Sequence, residues 1–191
     1  MKMKKRIGTI SAVLVLACAV VALYMYIDRS GKEAKEPVNT AAEQILSKNL
    51  ETNYPPTPYA LTEFYCGIVE CIYSEDTTEE QLEALVKLER SLFDEEFAAL
   101  NPYEALLASA KNDLETAKEK NLVFTGYILD KASNVTKWKK DKREYASLMF
   151  QLMSRSDTGS GSSYRNLIMR KDAAGKYKIL GWETLEDTAS E

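Results

Sequence analysis

The side chains best suited to chemistry in this chain are acids, tyrosines and lysines, because its 191 residues include no histidine. That absence removes the Ser-His-Asp triad, the Cys-His pair, the His-ligated zinc site and the imidazole base that works near neutral pH. Asp157-Thr158-Gly159-Ser160 spells the nucleophile motif of aspartic proteases. That chemistry needs two such loops, meeting so that two carboxylates share one proton. Only one copy is present, preceded by the polar pair Arg155-Ser156 and followed by more Gly and Ser, so Asp157–Ser162 is expected to be a flexible hairpin loop. Gly159-x-Gly161 lacks the Lys-Ser/Thr pair and the following helix of a phosphate-binding loop. Three consecutive acids, Asp94-Glu95-Glu96, would point about 100° apart on a helix and cannot converge on one ion. A solvated helix start is expected there, favoured by the helix dipole. Tyr65, Tyr127 and Asp130 are the remaining acid–base candidates, and none falls on a motif. No catalytic residue, cofactor or metal ligand is therefore assigned.

Charge is distributed unevenly. The chain carries 25 Lys+Arg and 29 Asp+Glu, a net of -4. Between Ala60 and Glu119 there are 15 acids and 4 bases, whereas Lys131 to Lys178 holds 12 bases and 4 acids. Lys137, Lys139, Lys140, Lys142 and Arg143 crowd one short stretch around Trp138. Such a split favours docking of an acidic layer on a basic one. The lysine-rich stretch is also the one candidate contact for an anionic polymer, namely teichoic acid, lipid headgroups or nucleic acid.

The elements that must position these groups follow from periodicity. Thr40 and Glu43 form a capping box for a short helix over Thr40–Leu50, and Tyr54-Pro55-Pro56-Thr57-Pro58 ends it. Thr57 caps the next helix with Pro58 at its first position; Leu61, Phe64, Tyr65, Ile68 and Ile72 make its buried stripe. Thr77 and Glu80 suggest a second capping box, ahead of Leu82, Leu85, Val86, Leu92 and Phe93. Asn101-Pro102 opens a further helix with Tyr103, Leu106, Leu107, Ala110, Leu114 and Ala117 on its inner face. Then the period changes to two. Strands are expected over Leu122–Leu129, Val135–Lys139, Glu144–Ser154, Ser163–Lys171 and Lys176–Thr184, the last pair joined by a tight turn at Asp172–Gly175. Helices followed by a meander predict an α+β fold, with helices packed on one face of a curved antiparallel sheet.

The N-terminus points to a membrane. Lys2, Lys4, Lys5 and Arg6 precede an uncharged run from Ile7 to Ile27, roughly 30 Å long as a helix and so matched to a bilayer core. Basic residues stay in the cytoplasm, which would put everything after Arg29 outside the cell membrane as the exposed part of a single-pass protein. Ala17-Cys18-Ala19 has the form of a signal-peptidase site, and Val15-Leu16-Ala17-Cys18 loosely that of a lipoprotein box; both would leave an apolar new terminus. The expected organisation is a basic stub and transmembrane anchor (1–29), a juxtamembrane spacer with a short helix (30–53), an α+β domain (54–187) and a tail (188–191). Cys66 and Cys71, about 140° apart on one helix, are expected to be buried thiols rather than a disulfide.

The ending from Asn166 through Asp172-Ala173-Ala174-Gly175 to Trp182-Glu183 resembles the last two strands of the nuclear transport factor 2 superfamily, with Tyr177 where Trp is commonest. The resemblance covers roughly Tyr54 to Glu186 and implies a cystatin-like cone. Tyr54-Pro55-x-Thr57-Pro58, Cys71-x-Tyr73, Leu92-Phe93-Asp94-Glu95-Glu96 and Asn101-Pro102 are similar to a family of membrane-anchored extracytoplasmic proteins from anaerobic Gram-positive bacteria. That similarity implies a fold and an address, and lends no activity. The leading expectation is a non-catalytic domain that binds a protein or envelope partner. A small-ligand receptor or enzyme using the cone interior, and a scaffold subunit of a secretion or conjugation apparatus, are the alternatives.

Overall fold

A computed structural model describes residues 40–185. The apolar run Ile7–Ile27, the motifs around Cys18, the spacer Ser30–Pro37 and the tail 188–191 lie outside the described residues. Among the described residues no helix is long and apolar enough to cross a membrane.

Among the described residues, five α-helices come first. Helix α1 (Ala41–Leu46) opens on the expected capping box, Thr40 Oγ1 accepting from the Glu43 amide and the Glu43 carboxylate accepting from the Thr40 amide at 2.9 Å. Helix α2 (Pro58–Ile72) is capped by Thr57, with Pro58 at its first position. Leu61, Phe64, Tyr65, Ile68 and Ile72 are buried along it as the three-four spacing requires. Ile45 of α1 packs over Gly67 of α2, so the folded unit begins at Thr40, ahead of the proline-rich segment. Helix α3 (Glu79–Ser91) has its capping box one residue later than expected, on Thr78 and Gln81. Thr77 cannot cap because its hydroxyl donates to the Cys71 carbonyl at 2.6 Å, tying off the end of α2. Asp94 caps the short α4 (Glu95–Leu100), and α5 (Tyr103–Glu119) follows Pro102. Its inner residues Tyr103, Leu106, Leu107, Ala110, Leu114 and Ala117 are only half-buried, because part of α5 stands over a cleft.

Among the described residues five antiparallel strands complete the α+β fold: β1 (Val123–Leu129), β2 (Thr136–Lys140), β3 (Arg143–Ser156), β4 (Gly159–Lys171) and β5 (Tyr177–Leu185). Strand β3 is the hub. Its first half pairs with β2 and its second half with β1, so these two strands share one edge in succession, while β4 occupies the other edge and carries β5. A simple meander was expected, and this shared edge departs from it. The hairpin loop expected over Asp157–Ser162 is also corrected: only Asp157-Thr158 turns, and Gly159 to Ser162 pair with Met153 to Ser156. Small residues there made the segment look like a loop, but β3 offers a ladder of backbone partners and claims it. The turn at Asp172–Gly175 forms as expected, with Gly175 at φ 80°.

Alternation gives the sheet two faces. Ala146, Leu148 and Phe150 of β3, Leu167 and Met169 of β4, and Tyr177 and Ile179 of β5 are buried against the helices, which are buried in turn through α2 and α3. Leu92–Asp94 extends the pairing at β5: Ile179 N–H donates to Leu92 O at 2.9 Å and Asp94 N–H to Ile179 O at 2.7 Å. Cys66 and Cys71 are buried free thiols on α2.

Candidate functional site

One end of the inner sheet face is solid core; the other is not. Past Phe150 the inward positions are Leu152 and Ser154 on β3, Ser163 and Arg165 on β4, and Trp182 on β5. With α2, α3 and α5 they line a cleft of about 620 Å³. Val69, Ile72, Leu106, Ala110 and Phe124 make its walls largely apolar. Tyr65 stands in its floor, its ring 6.0 Å from both Phe150 and Trp182.

Among the polar groups of this cleft, two charged side chains make no ion pair among the described residues. Arg165 Nε is buried without a hydrogen-bond partner, and no ion pair is made by its guanidinium among the described residues. The Glu89 side chain, projecting from α3, makes no hydrogen bond or ion pair among those residues either, and burial pushes its carboxyl up to about 7. Burial, with Glu89 adding to it, raises the Tyr65 phenol well above its usual range. The Tyr73 hydroxyl donates to Asp113 Oδ2 at 3.4 Å, and burial, then Asp113, pushes it up to about 12. Apolar walls around a few convergent polar groups are the usual make-up of a ligand site, and this volume is within the usual range.

Of the acid–base candidates named from sequence, only Tyr65 lies in this cleft. Tyr127 lines a separate hollow beside Glu63 and Phe64. Asp130 is at the surface and closes the turn after β1, accepting from the Lys131 amide at 2.7 Å and Asn134 Nδ2 at 2.9 Å. Glu89 and Arg165 were not singled out in the sequence, although a signal exists. Glu89 continues the apolar stripe Leu82, Leu85, Val86, and Arg165 shares the period-two face of Leu167 and Met169.

The basic stretch forms the β2–β3 hairpin, and strand alternation divides it. Lys137 and Lys139 share the face of Ala146 and Glu144, whereas Trp138 and Lys140 share the face of Tyr145 and Arg143; Lys142 is in the turn. Lys139 pairs with Glu144 at 3.2 Å and Arg143 with Glu96 at 3.4 Å. Lys137, Lys140 and Lys142 are exposed and make no ion pair among the described residues. Trp138, 38% exposed, stacks on Tyr145 with centroids 5.5 Å apart.

Asp94 departs from the solvated helix start expected of it. It is buried, and Arg170 grips it from β4 with a two-pronged contact, Nε to Oδ2 at 3.0 Å and Nη2 to Oδ1. Glu95 and Glu96 stay toward solvent, with Glu96 also 3.1 Å from Arg170 Nη2. A sequence pattern could not reveal Asp94's partner, which lies 76 residues away.

Comparison with known proteins adds a family. No curated protein matches the chain. A solved structure from Catenulispora acidiphila is 9% identical, covers 52% of this chain and 75% of its own, and superposes with a TM-score of 0.32. The family described as "Domain of unknown function (DUF6715)" matches residues 1–182. With that span covering nearly all of its length, the chain belongs to the DUF6715 family.

Proposed function

We propose that this chain is a membrane-anchored, extracytoplasmic, non-catalytic binding protein whose cone-like domain takes a small molecule into the cleft between α2, α3, α5 and the inner sheet face. The anchor and orientation rest on the apolar run Ile7–Ile27 behind four basic residues. The single observation that carries the binding role is an open cleft lined by two half-buried charged side chains, Arg165 and Glu89, that make no ion pair among the described residues, with Arg165 Nε enclosed and unpartnered. Buried polar groups are ordinarily satisfied, and a fold that keeps them unsatisfied has a use for them.

The test is native mass spectrometry of the full chain in nanodiscs, with a variant that fills the cleft, Ala110→Trp. A bound small molecule lost from Ala110→Trp is expected. An empty wild-type protein, unresponsive to every compound in a broad thermal-shift panel, would overturn the reading.

A second reading concerns the hairpin. Lys137, Lys140 and Lys142 present unpaired positive charge, suited to an anionic envelope polymer. Reversing all three to Glu should abolish salt-sensitive binding to anionic vesicles or teichoic acid. Unchanged binding would leave those lysines as solubilising charge.

A further inference from the structure

We infer that the cleft accepts an amphipathic monocarboxylate, its carboxylate on Arg165 and its hydrocarbon part against Trp182, Leu152 and Val69. The inference rests on reading the cleft as a binding site and names the chemistry that site selects. The argument turns on which of the two uncompensated groups can escape its charge. Glu89 can: burial raises its carboxyl to about 7, so near neutrality a large share of it carries a proton. Arg165 cannot, because a guanidinium does not lose its proton in a protein. The obligatory deficit in the cleft is therefore one negative charge beside Arg165.

The geometry of the donor selects the anion. Nε of Arg165 is enclosed by protein, so its two terminal nitrogens are the donors that can face the cleft, and side by side they match the two oxygens of a carboxylate. On the other face of β4, Arg170 grips the carboxylate of Asp94 with a two-pronged contact, so the fold already satisfies one guanidinium with a carboxylate. Around Arg165 no carboxylate of the chain does so among the described residues. A protonated Glu89 adds a donor rather than a repelling charge. At the rim Lys120 favours an anion and Asp113, engaged by Tyr73, opposes it. The remaining lining is aromatic and aliphatic with the hydroxyls of Ser109, Thr116, Ser154, Ser162 and Ser163 among it, and the volume of about 620 Å³ suits one aryl acid or a medium-chain alkyl acid.

The experiment measures binding to the full chain in nanodiscs by calorimetry, with indole-3-acetate and decanoate as aryl and alkyl probes. Their neutral amides and the amine tryptamine serve as controls, and Arg165→Met and Ala110→Trp as variants. At least one acid should bind, its amide about tenfold to a hundredfold more weakly. Arg165→Met should lose the acid while melting no lower than wild type, since it removes an unpartnered buried charge. Ala110→Trp should lose it too. Amide or amine binding as tightly as the acid, or no binding by either acid, overturns the monocarboxylate assignment while leaving the cleft open to another ligand. Acid binding that survives in both variants overturns the cleft reading itself.

Discussion

Glu89 carries a measurable signature of its site. Its carboxyl titrates near 7 in the fold against a usual 4.5, because burial disfavours the charged form. The native state therefore holds a proton that the unfolded chain has released. Stability should fall as pH rises from 4.5 to 7 and level off above, by about 3 kcal/mol at most. Tyr65 and Tyr73 beside it are both raised, away from that window, and Arg165, Asp113 and Lys120 share the cleft. Glu89→Gln should flatten the slope and be the more stable protein at pH 8, measured by urea melts at each pH. A slope unchanged by that substitution would assign it elsewhere. Asp94 is the opposite case, a buried charge fully engaged. Asp94→Ala strands Arg170 and should cost about 3–5 kcal/mol, whereas Asp94→Leu with Arg170→Met should recover much of that loss. Chemical denaturation of both variants decides it.

Local rules of sequence account for the elements well where a single turn of chain contains the whole argument. The capping box of Thr40 and Glu43, Pro58 at the start of α2, and the turn at Asp172–Gly175 all belong to this class. Those rules fail by one residue at Thr77, where a neighbouring helix end takes the hydroxyl, and by four residues at Gly159–Ser162, where β3 recruits a glycine-serine run into a strand. The β2–β3 hairpin offers a test at this scale. Asp141 and Lys142 both hold positive φ, 51° and 63°, as a two-residue hairpin turn demands. Lys142 has a Cβ that this region penalises, so Lys142→Gly should raise stability by roughly 0.5–1 kcal/mol. Thermal melts showing a loss instead would mean that Lys142 contributes more through its side chain than its backbone costs.

Across the whole molecule the charges divide by layer, and the layers meet through them. Glu96 of the acidic helical part faces Arg143 and Arg170 of the basic sheet, and Lys178 donates to the Ser91 carbonyl at 2.8 Å. Much of the basic excess is thus used inside the fold, which narrows any external role to Lys137, Lys140 and Lys142. Salt should screen the exposed part of this attraction: raising NaCl from about 0.05 to 0.5 M is expected to lower Tm by about 2 °C, and a rise would show that repulsion within each layer dominates. Sequence by itself determined the α+β class, the helix faces, the order of the strands along the chain and the uneven charge, because periodicity and capping are properties of contiguous residues. It also marked Tyr65 as inward-facing. Only the tertiary structure decided that β1 and β2 share an edge of β3, that Asp94 is buried on Arg170, and that Glu89 meets Arg165's cleft from the other layer. Each of those depends on residues far apart in the chain, brought together by packing that no local pattern encodes.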